Sequence, residues 1–174
     1  VEINEALVAH VGFSLDGQTF VLPMSFARAG DRIYVHGAAA SRALAALCGG
    51  APACVTVTLL DGLVLARSAF RHSVNYRSVV IFGVAREVAD RAAKRAALAA
   101  IVEHMVPGRS ADVRPPTDAE LDATAVAWLP LDEASAKARS GPPADLEADL
   151  SRACWAGVVP LRLEPGTPVA ERRV

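Results

Sequence analysis

Aromatic side chains are scarce in this 174-residue chain, with Phe, Trp and Tyr together at 5%. Its apolar content of 52% is mostly Ala, Val and Leu, so the core is built from small residues and gains by burying a face against a partner subunit. Charge of one sign is also missing. Eighteen Lys and Arg against 19 Asp and Glu leave a net charge of −1, which excludes a polybasic nucleic-acid binder because phosphate contacts need clustered cations. The apolar content, with 21% charged residues, excludes intrinsic disorder. Cysteine is limited to Cys48, Cys54 and Cys154, an odd number without CxxC spacing, so a disulfide framework or zinc ribbon is not expected and a reducing, cytoplasmic setting is. No segment has the order of a signal peptide. The numbering opens on Val1 rather than Met, and an N-terminal extension is expected to precede it. The longest uncharged run, Ala43 to Leu60, is interrupted by Gly49-Gly50-Ala51-Pro52, and reads as a helix end, a turn and a strand of a soluble protein.

The length suits one domain, taken as residues 1–174. Asp16-Gly17 separates the β-rich runs Leu7–Leu15 and Gln18–Phe26, and Ala29-Gly30-Asp31 separates the second from Arg32–Gly37. Asp61-Gly62 stands between Ala53–Leu60 and Leu63–Phe70. An Asp-Gly pair between such runs predicts a hairpin, because tight primed turns need positive φ. Val55-Thr56-Val57-Thr58-Leu59 alternates strictly, as a strand with one face on a core does. Ser78–Val88 predicts a central strand, and Thr124–Leu131 and Trp155–Leu163 predict two later ones. Helices are expected over Ala38–Cys48, stopped by Gly49-Gly50, and over Asp90–Met105, with Ala93, Ala97, Ile101 and Met105 at helical spacing and Pro107-Gly108 behind. Short helices are expected over Asp132–Arg139 and Asp145–Ala153, around the loop Gly141-Pro142-Pro143. The pattern is mainly β with peripheral helices, a small antiparallel barrel whose closure removes exposed edges.

Two stretches carry candidate chemistry. In Tyr34-Val35-His36-Gly37-Ala38-Ala39-Ala40-Ser41-Arg42 a strand ends and a helix begins. Unpaired N–H groups at a helix start favour an anion, which the Ser41 hydroxyl and Arg42 guanidinium would hold; the plainer alternative is that Ser41 only caps the helix and Arg42 is solvated. The second stretch, Arg67-Ser68-Ala69-Phe70-Arg71-His72-Ser73-Val74-Asn75-Tyr76-Arg77-Ser78, is the densest polar run between strands. His72 there is either a proton donor or ligand-stacking residue, or an exposed loop histidine. His10 lies in an apolar run and is expected to be a satisfied core residue. His10, His36, His72 and His104 have no HExxH-type spacing, and no GxSxG, GxGxxG or GxxxxGK[ST] run exists. Glu120, Asp122, Asp132 and Glu133 read as solvated faces. Trp128 and Trp155 read as packing residues, Trp155 alternatively as the wall of a flat ligand.

The order and spacing of several stretches resemble the flavin-nucleotide-binding split barrels related to pyridoxamine 5′-phosphate oxidase, in their nitroimidazole-resistance-like branch. They are His10-Val11-Gly12-Phe13, Tyr34 to Gly37 running into Ser41-Arg42, Val55 to Ser68, His72 to Val80, Val106-Pro107-Gly108-Arg109 and Trp155-Ala156-Gly157-Val158. The resemblance covers nearly the whole chain. It implies a Greek-key-like split barrel with FMN at the interface of a homodimer. Ser41 and Arg42 fall where such barrels hold the FMN phosphate. Pro23, Met24 and Ser25 fall beside the isoalloxazine ring, with further cofactor contact implied at Tyr34, Val35, His36, Arg77, Ser78 and Val79. Trp155 matches an aromatic that approaches the flavin from the partner subunit, and His72 matches a functional histidine of the branch. The oxidase's grip on a substrate phosphate is not evident, nor is its Arg-containing C-terminal motif beyond Trp155, so oxidation of pyridoxamine phosphate is not expected. The implied activity is that of an FMN-dependent oxidoreductase of a small molecule. The alternatives are a flavin carrier or redox sensor without catalysis and, ranked lower, a barrel holding deazaflavin or haem, for which only His36 or His72 is available as an axial ligand.

Overall fold

A computed structural model describes residues 3–171; Val1 lies outside them. Mostly antiparallel strands with few helices make up the chain, which divides into two compact units, residues 1–59 with 77–137, and residues 60–76 with 138–174. The strands are β1 (Val8–Leu15), β2 (Gln18–Ala29), β3 (Arg32–Ala38), β4 (Pro52–Leu65), β5 (Ser73–Val84), β6 (Arg86–Glu87), β7 (Thr124–Pro130), β8 (Glu133–Arg139) and β9 (Gly157–Pro160). The helices are α1 (Arg42–Cys48), α2 (Arg91–Met105), α3 (Arg109–Asp112) and α4 (Asp118–Ala123). Strand order is β6-β7-β3-β2-β1-β4-β5-β8, with β9 on β4. Three strands in succession followed by a fourth returning beside the first is a Greek key, as expected.

In the first unit, β1 and β2 form a full hairpin from Val8↔Ser25 to Leu15↔Gln18. It turns at Asp16 and Gly17, whose φ values of 52° and 78° meet the predicted need for left-handed backbone. Alternation along β1 sends Ala9, Val11 and Phe13 inward, where they join Phe26, Ile33, Val35, Leu44, Leu47, Val55, Ile81 and Leu129 in one core. Helix α1 contributes Ala43, Leu44 and Leu47 to that core. The opposite face of β3 and β7 packs under α2, with Val88, Ala97 and Val126 at the centre and Tyr34, Leu98 and Trp128 around them. Asp90 caps α2, its carboxylate accepting from the Ala93 N–H at 2.8 Å.

In the second unit, β9 pairs with the distal part of β4 from Gly62↔Pro160 to Leu65↔Gly157. The predicted hairpin at Asp61-Gly62 is therefore absent, and β4 runs straight through the pair. Gly62 is present for closeness instead: a Cβ there would stand 2.9 Å from Val158 Cγ1 and 3.1 Å from the Val159 carbonyl oxygen. The expected helix over Asp132–Arg139 is strand β8, because Ala and Ser at alternate positions are compatible with a ladder once β5 offers an edge. Asp145–Ala153 contributes only a 3₁₀ turn at Glu147–Asp149. Strand β5 starts at Ser73, so half of the polar run expected as a connection is strand. His10, expected in the core, points outward and is exposed, since β1 alternates and Ala9 and Val11 take the inner positions. No helix among the described residues is long and apolar enough to cross a membrane.

Candidate functional site

The α1 end of the first unit brings Ser41 and Arg42 together with Phe13, Leu15, Phe20, Leu22 and Ala43 around a cavity of about 320 Å³. Phe13 and Phe20 stack across the β1–β2 hairpin with ring centroids 5.4 Å apart. Ser41 occupies the N-cap position of α1, but its side chain makes no capping hydrogen bond. The hydroxyl is thus left over from the local structure, and so is the exposed Arg42 side chain, which makes no hydrogen bond or ion pair among the described residues. Of the two sequence readings, the one in which Ser41 merely caps the helix does not describe this geometry.

The other expected residues are dispersed. On β2, Met24 packs against the core while Pro23 is exposed and Ser25 half-buried; successive strand side chains leave opposite faces. Val35 and Val79 are buried in the core. Tyr34 is half-buried against the α2 layer and borders a small cavity of about 220 Å³ beside Trp128, and Trp128 itself lies under the guanidinium of Arg32, 4.1 Å from the ring centroid. Arg77 pairs with Glu5. The Ser78 hydroxyl donates to the Val57 carbonyl at 3.1 Å and lies 3.0 Å from Thr58 Oγ1. In the second unit, His72 is exposed and its Nδ1–H donates to the Ser68 carbonyl at 3.0 Å. Trp155 is 65% exposed, with its ring laid over Gly157. The segments around His72 are pinned by Arg67, which grips the nearly buried Asp145 through its backbone N–H at 2.9 Å and Nη1 at 2.8 Å. Asn75 and Arg139 add a further hydrogen bond at 2.8 Å.

A cavity of about 720 Å³ opens between α2, β3 and the segment from Ser110 to Pro116. It is in the range of pockets that enclose drug-sized ligands. Its wall includes the apolar face of α2 at Leu98, Ile101, Val102 and Met105, together with His36 of β3 and the charged Arg95, Arg114 and Glu120. His36 Nδ1 is buried and has no hydrogen-bond partner among the described residues. Such an orphan costs about 1–3 kcal/mol, and burial pushes the imidazole pKa down, favouring its neutral form. A neutral imidazole is a nitrogen donor of the type that iron takes, and His36 is part of the wall of this cavity.

The segment bordering the cavity is tied at both ends. Glu103 accepts from the Gly108 and Ser110 backbone N–H groups at 2.7 and 2.8 Å and from the Ser110 hydroxyl; these bonds, the hydroxyl first, hold its carboxyl below the usual range. Arg114 donates bidentately to Glu120 at 2.7 and 2.6 Å. Together with Thr117 in a reciprocal capping box, it holds Glu120 down to about 2. The sequence reading missed Arg95, Arg114 and Glu120. Two signals were available: the Thr117-Asp118-Ala119-Glu120 box, and a second apolar stripe on α2 at Leu98, Val102 and Met105, wider than the core stripe of Ala97 and Ile101 requires.

A sequence model of the family described as pyridoxamine 5′-phosphate oxidase matches residues 2–138. Among solved structures, an FAD- and haem-binding protein from Mycobacterium smegmatis superposes with a TM-score of 0.94 at 41% identity, over 99% of this chain and 84% of that one. The flavocytochrome Anf3 of Azotobacter vinelandii gives 0.90 at 44% identity, over 98% and 80%. A protein from Bacteroides thetaiotaomicron, described as a candidate 5-nitroimidazole antibiotic resistance protein, gives 0.64 at 25% identity, over 77% and 78%. No curated protein matches the sequence.

Proposed function

Because the chain belongs to the pyridoxamine 5′-phosphate oxidase family, we propose that it is a flavin-binding oxidoreductase that also holds haem. The observation that carries the second cofactor is His36, an imidazole whose buried Nδ1 lacks a hydrogen-bond partner among the described residues, on the wall of an apolar cavity of about 720 Å³. Haem ranked below FMN on the sequence; it now stands beside the flavin as a second ligand of the same chain. Two structures above 40% identity, described as an FAD- and haem-binding protein and a flavocytochrome, support the pairing.

His36 would hold the iron as a neutral imidazole, a state its burial favours. Leu98, Ile101, Val102 and Met105 would cover the macrocycle and keep water from it. Ser41 and Arg42 would grip the flavin phosphate, the hydroxyl by donation and the guanidinium by a charge-assisted bond. When bound, flavin supplies two-electron and haem one-electron chemistry. The sequence resemblance implies FMN, while the Mycobacterium smegmatis protein is described with FAD; the flavin proposed for this chain is FAD. The reading includes a homodimer with the flavin at its interface and a cytoplasmic setting in which the three thiols stay reduced.

The test is an absorption spectrum of the purified protein supplied with both cofactors, followed by chromatography of the released flavin. Flavin bands together with a Soret band, and FAD on release, are the expected result. Flavin bands alone would remove haem, FMN on release would restore the mononucleotide, and a colourless protein would remove the whole reading. Stopped-flow reduction by nicotinamide cofactors then separates an enzyme, which reduces fast with one donor, from a carrier, which reduces slowly with any.

A further inference from the structure

Resting on the haem reading above, we propose that Arg95 and Arg114 form a carboxylate-recognition pair at the rim of the α2 cavity, selecting a ligand whose flat apolar body carries acid groups on one edge. The cavity is chemically divided. His36 Nδ1 is buried, and Leu98, Ile101, Val102 and Met105 supply a hydrocarbon wall. Among the described residues, the cations lining the cavity are Arg95 and Arg114, whose side chains are 38% and 65% exposed and therefore stand at its solvent side.

Both guanidiniums are held in place without being used up. Each has five N–H donors. Arg114 commits three, to the Pro115 carbonyl at 3.1 Å and to the two Glu120 oxygens. Arg95 commits two, to the Pro116 carbonyl and to Asp118 at 2.6 Å. Two donors on Arg114 and three on Arg95 are left for a further acceptor. The acids that hold them belong to α4, whose start is fixed by the Thr117–Glu120 capping box, so the two cations are oriented before a ligand arrives. Pre-orientation removes much of the ordering cost of binding, and the planar fork of Arg suits carboxylate. Two cations on one rim match the two propionates that haem carries on one edge. Loop anchoring alone does not require both cations to border this apolar cavity.

The test is a pair of Soret titrations of the flavin-loaded protein, with hemin and with hemin dimethyl ester, which keeps the macrocycle and iron but masks both carboxylates. We expect the ester to bind about tenfold or more weakly, the loss of at least one charge-assisted pair. In a double variant, Arg95→Gln with Arg114→Gln, hemin affinity should fall by a similar factor, ester affinity should not change, and the Soret position should stay, because His36 is untouched. In His36→Ala the Soret position should move while the preference for acid over ester persists. Equal binding of acid and ester by the unmodified protein overturns the proposal, whatever the variants do. A preference that survives in the double variant also overturns it. If neither compound gives a Soret change, the haem reading itself has failed and the inference falls with it.

Discussion

Ser41 and Arg42 illustrate how much a single side chain's lack of local partners can say. A serine at a helix N-cap ordinarily satisfies a backbone donor, yet the Ser41 side chain makes no capping bond. We expect Arg42→Ala to release flavin, with at least a tenfold loss of affinity in fluorescence titration; unchanged occupancy would detach the flavin from this end of the barrel. His36 was legible as an implied cofactor contact and as one of two available axial ligands, but its surroundings were not. In the sequence it is one histidine among four without metal-type spacing, and its burial and its place on a cavity wall arise from segments distant in the chain. Gly62 was legible as a special position but for the wrong reason. The requirement is room for β9, so Gly62→Ala should destabilise the second unit by about 1–3 kcal/mol through overpacking, seen as an earlier loss of structure in urea.

Among the elements, those with strong local signals were read well. The β1–β2 hairpin, the β2–β3 turn at Gly30, α1 ending at Gly49 and α2 from its Asp90 cap all have their determinants within a few residues. The failures are long-range. Asp61-Gly62 passes straight through β4 because β9, almost a hundred residues later in the chain, supplies a partner from Gly62 onward. Asp132–Arg139 has helix-forming composition but becomes strand because an open edge of β5 is there to receive it. Helix α4 is short and depends on its start. Thr117→Ala should therefore cost about 1 kcal/mol, measured by urea denaturation at neutral pH. Acid should act on the same element: Glu120 is held at about 2 in the folded chain against an ordinary 4.5, so its stabilising contribution is full above the ordinary value and is lost as pH falls toward the folded one. The loss should be smaller in Arg114→Gln, where the carboxyl returns toward its usual range.

At the scale of the molecule, the proposed homodimer can be tested at two exposed apolar side chains. Val21 and Phe82 are 62% and 45% exposed and border one outward-facing cavity of about 530 Å³ with His10, Cys54 and Thr56. Phe82→Arg should convert a dimer to a monomer in light scattering after gel filtration and weaken flavin retention with it. A wild-type protein that is monomeric at micromolar concentration with flavin bound would contradict an interface cofactor. The family and its barrel were legible because strand order, hairpin turns and the Ser41-Arg42 pair are spaced along the chain in a fixed sequence. The α2 cavity was not, because its lining comes from four segments that no local pattern joins.

The two-part makeup of the chain also sets an order in time. The second unit is written in two places, residues 60–76 and 138–174. A ribosome working at about 5–20 residues per second finishes the first of these several seconds before it starts the second. Until then the far end of β4 waits without β9, presenting Leu60 and Leu63, which stay exposed even in the finished protein. The nascent chain is thus most adhesive between the synthesis of β4 and that of β9, and chaperone capture should concentrate in that interval.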